Sequence, residues 1–275
     1  MSGGIAGLPF TLIAELLALG VGAGFLAGLL GIGGGMLMVP FLTLIVSARG
    51  VEPALAVKMA VATSMATIMF TSLSSLQAHH RRGAVRWDLV RGLAPGIVAG
   101  GLLAGGGIFA LLKGQGLALL FAAFVGFSAL QMFRDRKPAP QRQMPGRWGQ
   151  GGAGGVIGLL SGLVGAGGAF VSVPFMVWCN VPMRHAVGTS AALGFPIALA
   201  ATAGYVIAGW QLPGGVPGAF GYLYLPALVI ISAASVLLAP LGARTAHRID
   251  VQSLRRVFAV MLLALAATML VRVFS

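Results

Sequence analysis

Two stretches carry unusual chemistry: GLLGIGGGMLMVPF at Gly28–Phe41 and GLVGAGGAFVSVPF at Gly162–Phe175. Each glycine in an apolar run weakens a helix by about 1 kcal/mol relative to alanine. In lipid, broken backbone survives only where protein buries it or a wet cavity meets it. A short helix restarting after a break begins with N–H groups that lack helical partners and carry partial positive charge. Those groups belong to Gly34, Gly35 and Met36 in the first stretch and to Gly168, Ala169 and Phe170 in the second. Gly33 and Gly167 let a ligand approach the backbone closely. The chemistry on offer is anion binding. Pro40 and Pro174 leave the start of each restarted helix open. Either the helix already runs through them and frees the carbonyls of Met36 and Phe170, or it begins at the proline.

The best side-chain partners for such a site are the hydroxyls of Thr63, Ser64, Thr189 and Ser190. Lys58 and Arg184 precede these pairs and are placed to draw anions to two mouths. Gln77 and Tyr205 stand near the ends of matching apolar spans, where they would line a vestibule. Glu15 is the carboxylate well inside an apolar span, which makes it the candidate for proton coupling. Nothing points to catalysis, since paired carboxylates and a Ser/His/Asp set are missing. One cysteine, Cys179, rules out a cysteine metal cluster. His79 and His80 are adjacent and share no helix face, so no metal pair is expected. The reading is a non-enzyme without cofactor or metal.

The elements that position these groups follow from composition. The chain is 58% hydrophobic and 8% charged, against about 25% charged in soluble domains. Uncharged stretches such as Gly92–Leu112 are long enough to cross a bilayer as helices. The fold class is therefore all-α and polytopic in the membrane. The net charge of +13 does not indicate nucleic acid. The basic residues sit in short loops, the positive-inside pattern, and the linker from Arg134 to Arg147 faces anionic lipid heads.

The chain is an internal duplication. Adding 134 maps Gly20, Gly24, Gly28, Gly31, Gly33 and Gly34 onto Gly154, Gly158, Gly162, Gly165, Gly167 and Gly168. Beyond the first breaks the offset falls to 126, pairing Thr63 and Ser64 with Thr189 and Ser190, and Lys58 with Arg184. Repeat one covers 1–133, a basic linker 134–150, and repeat two 151–275, with about five helical segments per repeat. Segments are expected near 10–31, 36–47, 54–78, 89–112 and 116–133, then 151–165, 169–179, 186–208, 222–241 and 254–274. An odd number of crossings per repeat inverts the second copy. The charges agree: HHRRGAVRW at His79–Trp87 is basic while its counterpart GWQLPGGVPG at Gly209–Gly218 is uncharged. Basic loops facing the cytoplasm leave both termini on the other side. The GxxxGxxxG faces at Gly20–Gly28 and Gly154–Gly162 are expected to pack helices closely. Inverted repeats with broken helices suit a carrier with a midplane site, and an anion channel is the alternative on the same scaffold.

The paired glycine segments and the two Thr-Ser elements together resemble the sulfite exporter TauE/SafE family, also called the 4-toluene sulfonate uptake permease family. The resemblance spans nearly the whole chain; Ala169 stands where the first copy has Gly35. It implies a bacterial inner-membrane carrier of a small sulfur-containing or organic anion, of the sulfite, sulfonate or sulfoacetate type. It also implies coupling to protons, and the sequence leaves a homo-oligomer open.

Overall fold

The computed structural model describes residues 8–30, 35–134, 142–210, 216–245 and 251–274. These residues form ten helices and one small hairpin. Repeat one contributes α1 (Phe10–Leu30), α2 (Gly35–Ser47), α3 (Pro53–Arg81), α4 and α5 (Gly114–Arg134). Helix α4 runs from Trp87 to Leu102, passes through a π turn at Leu103–Ile108 and ends in a helical turn at Phe109–Leu111. Repeat two contributes α6 (Arg147–Val164), α7 (Ala169–Trp178), α8 (Met183–Gly209), α9 (Leu225–Thr245) and α10 (Val251–Phe274). Six helices are long and apolar enough to cross a membrane: α1, α3, α4, α5, α8 and α10. The protein is thus an all-α, multi-pass membrane protein.

The helix bounds follow the sequence closely, with two corrections. Helix α6 begins at Arg147, inside the stretch assigned to the linker, because Gly146 caps it and the Gln150 amide donates to the Pro145 carbonyl at 2.9 Å. Before α9, the chain first pairs Ala219–Phe220 with Leu223–Tyr224, so the helix starts at Leu225 rather than Tyr222. Helix α2 has 13 residues and α7 has 10, or about 20 and 15 Å, short of a core about 30 Å thick. Both run through their prolines, Pro40 and Pro174. That decides the open alternative: the proline nitrogens leave the carbonyls of Met36 and Phe170 without their helical donors.

Packing pairs helices from the two halves of the chain. Helix α1 lies along α9, and its counterpart α6 lies along α4. Helix α4 also packs on α8 and α9 on α3, while α3 meets α8 and α5 meets α10. Swapping each helix for its equivalent leaves these contacts unchanged. The glycine faces explain the closest of them. A Cβ on Gly154 would stand 2.2 Å from the Leu93 carbonyl oxygen, and one on Gly158 would stand 2.3 Å from that of Ile97. In the equivalent pair, a Cβ on Gly24 would stand 2.5 Å from the Ser235 Cα, and the Ser235 hydroxyl donates to the Gly20 carbonyl at 2.9 Å. Small residues allow this approach where the hydrophobic effect between helices is weak.

The π turn of α4, LAGGGI, was not anticipated within the 89–112 span. It lets α4 follow α8, with Gly204 so close that a Cβ would lie 2.4 Å from the Gly106 nitrogen. At the centre stand α3, buried at every residue from Met59 to Ile68, and the facing part of α8. Outward faces such as Leu119, Phe127, Val260 and Val271 are exposed and apolar, as lipid contact requires.

Candidate functional site

The second glycine break is built from two left-handed glycines. Gly165, with φ 73°, ends α6, and the N–H groups of Gly165 and Ala166 both donate to the Ser161 carbonyl at 3.0 and 3.2 Å. Gly168, with φ 79°, opens α7, and its carbonyl accepts from Val171 and Ser172 at 3.1 and 2.8 Å. Between these turns, the N–H groups of Gly167, Gly168, Ala169 and Phe170 have no hydrogen-bond acceptor among the described residues. Gly167, Ala169 and Phe170 are half-buried. Four consecutive donors without an acceptor among the described residues thus stand at a helix start, the arrangement that favours an anion.

Of the first break, Gly33 and Gly34 lie outside the described residues. Gly35 and Met36 open α2 and are buried. Gly35 lies directly against the second break: its Cβ would be 2.5 Å from the Gly165 oxygen and 3.2 Å from the Ala166 Cα. The Ser64 hydroxyl, on α3, lies 3.0 Å from the Gly165 carbonyl oxygen and 3.4 Å from that of Gly35. Ile68, one turn further, touches both Gly35 and Gly167. Six of the residues proposed from sequence, Gly35, Ser64, Gly167, Gly168, Ala169 and Phe170, thus belong to one neighbourhood around the second break.

The Thr-Ser pairs divide their labour. Ser190 shares a 2.7 Å hydrogen bond with Ser172 of α7, so it braces the restarted helix of repeat two as Ser64 braces the meeting of the breaks. The threonines face elsewhere. Thr63 Oγ1 accepts from the Tyr224 N–H at 3.0 Å, and Thr189 Oγ1 accepts from the Arg86 N–H at 3.0 Å. Arg86 immediately precedes α4, and Tyr224 immediately precedes α9. Each threonine therefore holds the start of the fourth helix of the other repeat. A Thr63→Val substitution strands the buried Tyr224 N–H at a cost of about 1–3 kcal/mol. The expected outcome is a lower Tm, with transport per folded molecule retained. A transport loss without a Tm change would return Thr63 to the site.

Of the remaining candidates, Tyr205 reaches the end of α6 at the second break, and the others lie elsewhere. Glu15 forms an ion pair with Arg49 at 2.8 Å, and its side chain is 46% exposed. The Lys58 ammonium sits over the rings of Phe109 and Tyr222 at 5.4 and 5.3 Å, and 3.5 Å from the Ala110 carbonyl oxygen. Burial pushes the Tyr222 phenol up from its ordinary value. The Arg184 guanidinium donates to the Arg82 carbonyl. Gln77 is exposed near the end of α3. Tyr205, expected at a vestibule, is fully buried: its ring packs 4.4 Å from Phe109 and its hydroxyl donates to the Gly162 carbonyl. The turn at Gly165 diverts the Ala166 N–H to Ser161, so Gly162 loses its helical donor, and Tyr205 replaces it. A tyrosine inside an apolar span requires such an acceptor, and this requirement was the signal available in the sequence. Sequence reasoning also missed Ser161, Ser172 and Ile68.

The chain matches the family described as Sulfite exporter TauE/SafE over residues 16–269. A "Probable membrane transporter protein" of Haemophilus influenzae is 34% identical over 264 residues, covering 96% of this chain and all of the relative. Another relative so described, from Methanocaldococcus jannaschii, is 26% identical over 89% of this chain and 90% of its own. The "Probable membrane transporter protein YdhB" of Bacillus subtilis is 27% identical over 68% of this chain and 76% of its own. No solved structure matches.

Proposed function

Because this chain belongs to the sulfite exporter TauE/SafE family, we propose that this membrane transporter carries a small sulfur-containing or organic oxyanion by alternating access. The observation that carries this reading is the run of unpaired N–H groups at Gly167–Phe170, set where Gly35 and Ser64 bring the two breaks together. Anions of the sulfite or sulfonate type present several acceptor oxygens to several fixed donors, and a site away from bulk water strengthens each bond. The two repeats are inverted and move against one another about this place, as broken-helix carriers do. The swapped loop charges support inversion, and the exchange of helix contacts between repeats supports a two-fold relation. The membrane is the bacterial inner membrane, with the basic loops cytoplasmic, both termini outside and protons as the coupling ion.

Purified protein in liposomes tests the function. Saturable uptake of sulfite or methanesulfonate, accelerated by an imposed pH gradient, is the expected result. Flux that never saturates would instead make the protein an anion channel. In the same vesicles, with Cys179→Ser as background, Arg82→Cys and Pro217→Cys should label from opposite sides. Labelling from one side would end the inverted arrangement.

A further inference from the structure

We infer that Ser161 is a specificity-determining residue of the anion site, donating its hydroxyl from repeat two alone. The inference rests on the reading of the second break as that site. Ser161 is 1% exposed, and its Oγ has no hydrogen-bond partner among the described residues. A buried hydroxyl left unpaired costs free energy and calls for a reason. Hydroxyls within membrane helices usually bond the carbonyl one turn back. Thr43 does so with Val39, Thr67 with Thr63 and Ser72 with Met69. Ser161 does not.

Its surroundings explain the difference. The Ser161 carbonyl is occupied by the N–H groups of Gly165 and Ala166, which fixes the residue at the turn. Its Oγ lies 3.1 Å from the position that a Cβ on Gly168 would take. The hydroxyl is therefore aimed at the residue that opens α7, beside the four unpaired N–H groups. The buried hydroxyl oxygens of Ser47, Ser128, Thr202 and Ser232 also lack partners among the described residues, but none stands on the turn that carries the break. Ile197 Cδ1 and Ile157 Cγ2 are the other neighbours of the would-be Gly168 Cβ, at 2.4 and 3.7 Å, and neither can accept the Ser161 proton. The missing partner is an oxyanion with oxygens enough to take both kinds of donor.

The site is also one-sided. The offset of 134 that aligns the two breaks places Ala27 opposite Ser161, so repeat one has no hydroxyl to offer there. Two nearly equal sequences thus carry unequal side-chain chemistry.

Titration calorimetry of the detergent-purified protein with methanesulfonate and with sulfite tests this. Ser161→Ala should weaken binding about 10- to 100-fold, the effect of one hydrogen bond to a charged group. Its ligand-free Tm should equal or exceed that of the parent, because the variant removes an unsatisfied hydroxyl. Ser161→Cys keeps the size with a poorer donor and should fall between the two. Parent-like affinity in Ser161→Ala, or a ligand-free Tm well below the parent's, overturns the assignment. If the parent protein itself binds neither anion, the anion-site reading falls, and Ser161 with it.

Discussion

Gly168→Ala is expected to lower anion transport at least tenfold in proteoliposomes, and Gly168→Leu to abolish it, while both proteins still elute as folded species. Gly168 holds φ at 79°, a conformation that costs a residue with a Cβ about 1–2 kcal/mol. The added methyl would also stand 2.4 Å from Ile197 Cδ1 and 3.1 Å from Ser161 Oγ. The first neighbour is the tip of a flexible side chain, so the helices need not separate. The second is the proposed donor, so the methyl occupies the space an anion's oxygen needs. Gly167→Ala is the matched control for folding: its nearest neighbour would be Ile68 Cγ2 at 3.5 Å, an ordinary contact, so its Tm should equal the parent's. Gly35→Ala behaves like Gly168→Ala for a different reason, because its methyl would meet the Gly165 carbonyl at 2.5 Å and force the two breaks apart. Wild-type rates in Gly168→Ala and Gly35→Ala together would remove the breaks from the transport path.

Gly158→Leu should act on the fold instead. Overpacking costs about 1–3 kcal/mol when neighbouring side chains can yield. Here the obstacle is the Ile97 carbonyl at 2.3 Å and the Gly101 nitrogen at 3.0 Å. Only a separation of α4 from α6 relieves that clash, and with it goes a helix contact that holds the repeats together. The expected outcome is aggregation on extraction, read as loss of the monodisperse peak in size-exclusion chromatography. Gly24→Leu should do the same through the Ser235 backbone at 2.5 Å. Gly22, two residues away on α1, has nothing within 4 Å of its would-be Cβ. Gly22→Ala should therefore be neutral or slightly stabilising, since alanine favours a helix by about 1 kcal/mol over glycine. If Gly158→Leu and Gly22→Ala extract equally well, the close-packing account of these glycines is wrong.

Much of this protein is legible in its sequence, and for definable reasons. A bilayer admits helices whose backbone is satisfied internally, so low charge and long apolar runs set the fold class. The glycine spacing repeats at a constant offset, and the second break falls at the glycines that this spacing marks, between α6 and α7. Helix starts at Pro53 and Gly35, and the end at Gly165, follow from local backbone chemistry.

Tertiary structure decided the rest. Apolar side chains are as compatible with lipid as with one another, so hydrophobic pattern alone does not say that α1 lies along α9 rather than within its own repeat. Thr63 and Ser64 are neighbours in sequence and equally polar. Yet one hydroxyl takes an N–H from Tyr224, 161 residues away, while the other reaches Gly165. Tyr205 found its acceptor, and Ser161 was left without one among the described residues, through contacts that no spacing encodes. Composition and periodicity state which groups require hydrogen-bond partners. Only the assembled helices determine which partners are within reach, because hydrogen bonds depend on direction and on distances of about 3 Å, whereas hydrophobic burial depends on neither.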